Sequence, residues 1–181
     1  MILGLFRRNP RRKVIETLYQ RIAAASRAPF LYVALGVPDT VEGRFEAVAL
    51  HMVLVLRRLG ELPSPADQVA QDLVDCFFRH LDASLRELAV GDLAVPKRMK
   101  TLAEAFSGRS RAYDEALSAP DGLALAKALA RNVLGTAEPA HGLASYVRES
   151  EVELTIQDLN GLLREGPRFA EAQTRPEGGR P

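Results

Sequence analysis

The stretch that decides the fold is Val41-Glu-Gly-Arg-Phe45-Glu-Ala-Val-Ala-Leu50-His-Met-Val-Leu-Val55-Leu-Arg-Arg-Leu-Gly60. From Phe45 to Leu56 it is apolar nearly all round, broken only by Glu46 and His51. A helix that is apolar on every face must be buried. Twelve such residues extend about 18 Å at 1.5 Å per residue, short of a bilayer core of roughly 30 Å. The segment therefore reads as the central helix of a water-soluble domain. Asp39, with Glu42 three residues on, suggests an acidic capping box at its start, and Gly60 suits its end.

Outward from this helix the pattern stays helical. Toward the N-terminus, Asn9-Pro10 forms a cap followed by a proline at the first helical position. Val14, Leu18, Ile22 and Ala25 then share one face, until Ala28-Pro29 ends the run. The short apolar segment from Phe30 to Leu35 has no plausible partner strand and reads as a helical turn or packed connector. Toward the C-terminus, Ser64-Pro65 with Asp67 opens a helix presenting Val69, Leu73, Phe77 and Leu81 and reaching about Leu88. Another begins near Pro96 and resumes after Gly108 through Tyr113 and Leu117. An alanine-rich helix runs from Pro120-Asp121 to Gly135. Shorter segments fall at about 141–150 and 153–164, closed by Gly166-Pro167. The expectation is an all-α chain: one compact multi-helix domain of about six to eight helices over residues 9–166. It is preceded by a flexible apolar and basic leader, 1–8, and followed by a tail, 167–181, disordered by composition.

Composition narrows the function. The chain has 181 residues, 47% of them hydrophobic and 26% charged, with a net charge of +1. That is ordinary globular usage. A single cysteine excludes an internal disulfide framework. The balanced charge conceals an asymmetry. Residues 1–27 carry seven basic residues against one acidic, a net of +6, and the remainder carries 17 against 22, a net of −5. Arg7, Arg8, Arg11, Arg12 and Lys13 form the basic arm. It is either a solvated terminus or a contact with something anionic, lipid or ribosomal RNA. The apolar residues precede the basic ones, the reverse of a secretory signal, and Pro10 interrupts any transit helix. The expected location is cytoplasmic, with peripheral contact at the inner face of the membrane.

No phosphate-binding glycine motif occurs, and His51, His80 and His141 lack the spacing that puts metal ligands on one helical face. Cys76 and His80 are four apart and could touch, but flank Phe77-Phe78 on an apolar face, which favours packing over an activated thiolate. His51 is expected to be buried. The carboxylates Asp75 and Asp82 stand at ion-pair spacing from Arg79, with Asp72 one turn before Asp75, the pattern of a solvated face. Neither a catalytic residue nor a cofactor is assigned, and the chain reads as a non-enzyme.

The densest polar segment is Leu85-Arg86-Glu87-Leu88-Ala89-Val90-Gly91-Asp92, then Lys97, Arg98, Lys100 and Gly108-Arg109-Ser110-Arg111-Ala112-Tyr113. Two readings stand. Arg86, Glu87 and Asp92 could tie a tight corner between helices, or they could present a binding surface beside Arg109 and Tyr113, residue types favoured at interfaces.

With these residues the chain resembles the ubiquinol–cytochrome c chaperone family over roughly residues 12–165. The resemblance is carried by Leu18-Tyr19, Pro29-Phe30, His51-Met52, Gln71-Asp72, Phe77-Phe78 and Asp82. Its most specific part is Leu85-Arg86-Glu87 with Val90-Gly91-Asp92, Lys97, Met99-Lys100, Phe106, Gly108-Arg109 and Tyr113. Ala89 stands where the family favours glycine. The resemblance implies a chaperone for cytochrome b in the respiratory cytochrome bc complex (complex III), in a bacterial member. The partners it implies are newly made cytochrome b, with a small helper protein and the ribosome as further candidates. The partner-binding residues would be Arg86, Glu87, Gly91, Asp92, Lys97, Arg109 and Tyr113. The alternative is a ribosome- or RNA-associated helical module acting through the basic arm.

Overall fold

The structure, a computed structural model, describes residues 10–87 and 94–171. Among them every regular element is helical: α1 (Pro10–Ala25), α2 (Pro29–Val33), α3 (Val41–Glu61), α4 (Ala66–Glu87), α5 (Val95–Ser118), α6 (Gly122–Leu129), α7 (His141–Thr155) and α8 (Leu159–Arg164). A π-turn, Ala130–Leu134, continues α6 and ends at Gly135, whose φ of +65° is the left-handed conformation glycine adopts without strain.

Helix α3 is the axis of the molecule, in contact with α1, α4, α5, α7 and the π-turn. Ala49, Leu50, His51, Met52, Val53, Leu54 and Val55 are all buried, so the apolar circumference read from the sequence is covered on every side. Its cap is Thr40 rather than Asp39. The Thr40 hydroxyl accepts from the Gly43 N–H at 3.0 Å, whereas the Asp39 carboxylate pairs with Arg44 at 2.7 Å. Gly43 is required by close approach, because a Cβ there would meet the Pro38 carbonyl oxygen at 1.9 Å.

Around this axis α1 and α4 pack together, and α5, α6 and α7 follow as successive neighbours. The α1–α4–α5 side closes over Phe77, which touches Tyr19, Phe45, Phe78 and Phe106, with centroids 5.1–6.4 Å apart. Two boundaries differ from the sequence reading. α5 is continuous through Gly108, because burial of Phe106, Tyr113, Ala116 and Leu117 on either side outweighs the cost of about 1 kcal/mol for an internal glycine. α7 runs on to Thr155, and the break comes at Ile156–Asp158, where the Asp158 carboxylate caps α8 by accepting from the Gly161 N–H at 2.7 Å.

The chain just past α8 also departs from expectation. Residues 167–170, placed in the tail by composition, lie against the domain. Gln157, buried, donates to the Gly166 carbonyl at 2.9 Å and accepts from the Arg168 N–H at 2.8 Å. The Ser150 hydroxyl accepts from the Ala170 N–H at 3.0 Å, and the Phe169 ring meets His51 edge-on at 4.7 Å. Two polar side chains thus satisfy backbone that composition alone leaves to solvent.

Candidate functional site

The polar residues singled out from the sequence separate into three places. Arg86 and Glu87 end α4 and Lys97 lies in the first turn of α5, all three exposed. The Arg86 guanidinium donates to Asp82 one turn back at 2.8 Å, and this hydrogen bond holds the Asp82 carboxyl below the usual range. Phe78 and Phe106 meet edge to face at 5.9 Å and pack α4 against α5. Gly91 and Asp92 lie outside the described residues.

Arg109 and Tyr113 sit one and two turns further along α5 from Phe106 and face inward. Arg109 makes a two-pronged pair with Glu46 of the central helix and also donates to the Ala105 carbonyl at 3.1 Å. Burial pushes the Glu46 carboxyl up, opposed by the Arg109 guanidinium. Tyr113 is 0% exposed. It therefore offers no contact surface, contrary to the sequence reading; its ring fills the core, where the hydroxyl makes no hydrogen bond of ordinary geometry and has the Asn132 side chain nearby. Burial drives its ionisation upward. Of the proposed binding set, the structure leaves Arg86, Glu87 and Lys97 on the surface and commits Arg109 to the α3–α5 interface.

The basic arm is split as well. Arg11, Arg12 and Lys13 belong to the first turn of α1, and Arg7 and Arg8 lie outside the described residues. Arg11 reaches across to α4, donating to Asp72 at 2.5 Å and to Gln68 at 3.1 Å. Arg12 and Lys13 point outward, exposed. Asp72 is therefore occupied by α1, and Asp75 accepts from Gln71 at 3.0 Å.

The remaining chemistry lies in two buried groups. His51 is fully buried, with Nδ1 2.7 Å from the Ala47 carbonyl and Nε2 2.7 Å from the Tyr146 hydroxyl. Desolvation brings its pKa down to about 4, so the ring is neutral at pH 7. Cys76 is buried too, its thiol pushed up to about 11 by burial and by Glu16, which is the state of an unactivated thiol. Glu16 of α1 joins Cys76 to His80, the only such group of potential metal donors among the described residues.

Sequence spacing missed the arginines that join distant elements. Arg57 of α3 meets both Asp114 of α5 and Glu151 of α7. Arg58 donates twice to the Gln157 carbonyl, at 2.9 and 3.0 Å. Arg148 donates to the Leu117 carbonyl at 3.1 Å and the Ala119 carbonyl at 3.2 Å, where α5 ends with unpaired acceptors. Their sequence signal was the Arg57-Arg58 pair closing an otherwise apolar helix.

No helix among the described residues is long and apolar enough to cross a membrane. The fold is that of an all-helical protein with an apolar central helix, a charged surface where α4 and α5 meet, and arginines spent on joining elements. The sequence profile of the ubiquinol–cytochrome C chaperone family matches residues 33–169, well over half the chain. The chain belongs to that family. It is similar to a solved structure, the crystal structure of the Cbp3 homolog from Brucella abortus, with 39% sequence identity and a TM-score of 0.79. That likeness covers 94% of this chain and 97% of the other. No match was found among curated proteins.

Proposed function

We propose that this chain is an assembly chaperone of the respiratory cytochrome bc complex that binds newly made cytochrome b. The observation that carries the reading is the family match over residues 33–169, joined to the end-to-end likeness to the Brucella abortus Cbp3 homolog. The end of α4 and the start of α5, with Arg86, Glu87 and Lys97 exposed, are the contact surface. A helical scaffold of this kind can receive an amphipathic segment of a client in a groove between helices. Arg7, Arg8, Arg12 and Lys13 supply peripheral attraction to an anionic membrane, about 1 kcal/mol for each basic residue near the surface and less at high salt. Arg11 belongs to the Asp72 pair and anchors α1.

The test is affinity capture by the intact chain from gently solubilised membranes, with bound proteins identified by mass spectrometry. Enrichment of cytochrome b over abundant unrelated membrane proteins supports the proposal. Ribosomal proteins captured without cytochrome b overturn it and favour an RNA-associated module working through the basic residues.

A further inference from the structure

Three side chains of different chemistry converge where α1 crosses α4. Cys76 and His80 stand one turn apart on the same face of α4, and Glu16 reaches them from α1. One Glu16 oxygen lies 2.6 Å from His80 Nε2, and the other lies 3.4 Å from Cys76 Sγ. The three donor atoms all lie within 4.8 Å of one another.

We propose that Glu16, Cys76 and His80 form a zinc-binding site, completed by a water molecule in a fourth position. Zinc bonds of about 2.0–2.3 Å in a tetrahedron place the donor atoms roughly 3.3–3.8 Å apart. The separation of Cys76 Sγ from one Glu16 oxygen already falls in that range, and one donor atom from each of the three side chains lies within 4.8 Å of the others. The carboxylate–imidazole separation has to open by less than about 1 Å, a movement available to two side chains that are only half-buried. A thiolate, an imidazole and a carboxylate together suit zinc and not the hard cations magnesium and calcium, which prefer oxygen alone.

The surroundings support the site. The Tyr19 ring stacks on His80 at 4.3 Å and fixes the plane of the imidazole. Gln20 donates to the Glu16 carboxylate at 3.4 Å, the kind of outer contact that orients a ligand. Glu16 and His80 are 33% and 38% exposed, so two of the three donors meet solvent while the sulfur is buried. Zinc entry displaces the thiol proton to solvent, and the sulfur lone pair forms the new bond to the metal. The metal would then clamp α1 to α4 beside the Arg11–Asp72 pair.

The experiment titrates the intact chain, free of any affinity tag, with cobalt(II) and then with zinc(II). Because Cys76 is the chain's one cysteine, a sulfur-to-cobalt charge-transfer band reports that residue alone. The expected result is such a band at one cobalt per chain, bleached by an equal amount of zinc, and absent in Cys76→Ser. His80→Gln and Glu16→Gln remove direct ligands and are expected to weaken zinc binding by at least about 100-fold, beyond what an outer-shell change costs, with unchanged circular dichroism. His141→Ala, at an exposed histidine, is expected to bind as the native chain does. Absence of the band, or zinc affinity unaltered in His80→Gln and Glu16→Gln, overturns the site. His80→Gln keeps the test decisive if Cys76→Ser disturbs the core.

Discussion

At the scale of single residues, the Glu46–Arg109 pair and Tyr113 show how a charged or polar side chain changes meaning once its surroundings are known. Glu46 is 8% exposed and meets Arg109 with both oxygens, so removing one partner leaves a charge without compensation inside the protein. Arg109→Leu is expected to cost about 3 kcal/mol in chemical denaturation, at the lower end for a broken buried pair because Arg109 keeps some solvent contact. Tyr113→Phe removes a buried hydroxyl that makes no hydrogen bond of ordinary geometry, with only the Asn132 side chain nearby. Such a group costs desolvation and returns little, so the variant is expected to be as stable as the parent or more so. A loss above about 1 kcal/mol, the worth of an ordinary hydrogen bond, would show that the hydroxyl has a partner after all. Arg109 and Tyr113 were legible as a notable pair but not as interior residues, because spacing along a helix gives no information about which face its neighbours cover.

At the scale of elements, caps and cross-helix polar contacts set the boundaries. Thr40→Ala removes the hydroxyl that accepts the Gly43 N–H and should lower stability by about 1 kcal/mol. Asp39→Ala should do less in the same thermal melts, since Asp39 caps nothing and its pair with Arg44 is exposed. His51 joins three elements at once: α3 through Ala47, α7 through Tyr146, and the segment after α8 through Phe169. Its pKa falls from the ordinary 6.5 to about 4 in the folded state. A group depressed in this way contributes stability that is present above pH 6.5 and is lost as pH falls toward 4. The difference corresponds to about 3 kcal/mol. Urea unfolding at pH 7 and pH 4.5 should therefore show a smaller acid loss in His51→Gln than in the parent chain. Equal losses in the two proteins would show that carboxylates alone govern the acid limb. The start of α1, the burial of α3 and the glycine that closes the π-turn after α6 were readable from proline, glycine and apolar periodicity. The true end of α7 was not, because it depends on Glu151 meeting Arg57 and on Asp158 capping α8.

At the scale of the whole molecule, family membership fixes the class of protein, and the contact surface proposed for cytochrome b can be tested through its exposed charges. Arg86 and Lys97 are exposed at adjoining helix ends, so their charges can be reversed without opening the core. The double variant Arg86→Glu, Lys97→Glu is expected to reduce cytochrome b capture at least tenfold, about 1.4 kcal/mol, with an unchanged melting temperature. Undiminished capture would place the contact elsewhere on the surface. By itself the sequence determined the helical class, the central buried helix and the family, because periodicity, proline and glycine placement and motif order are properties of the linear chain. Only the tertiary structure decided that Arg11 grips Asp72, that Tyr113 lies inside and that Glu16 meets Cys76 and His80. It also decided that residues 167–170 pack back on the domain. The physical reason is common to all four. Each rests on a contact between elements, here 9 to 64 residues apart in sequence for the paired side chains and backbone groups, and packing geometry selects those partners whereas local spacing does not.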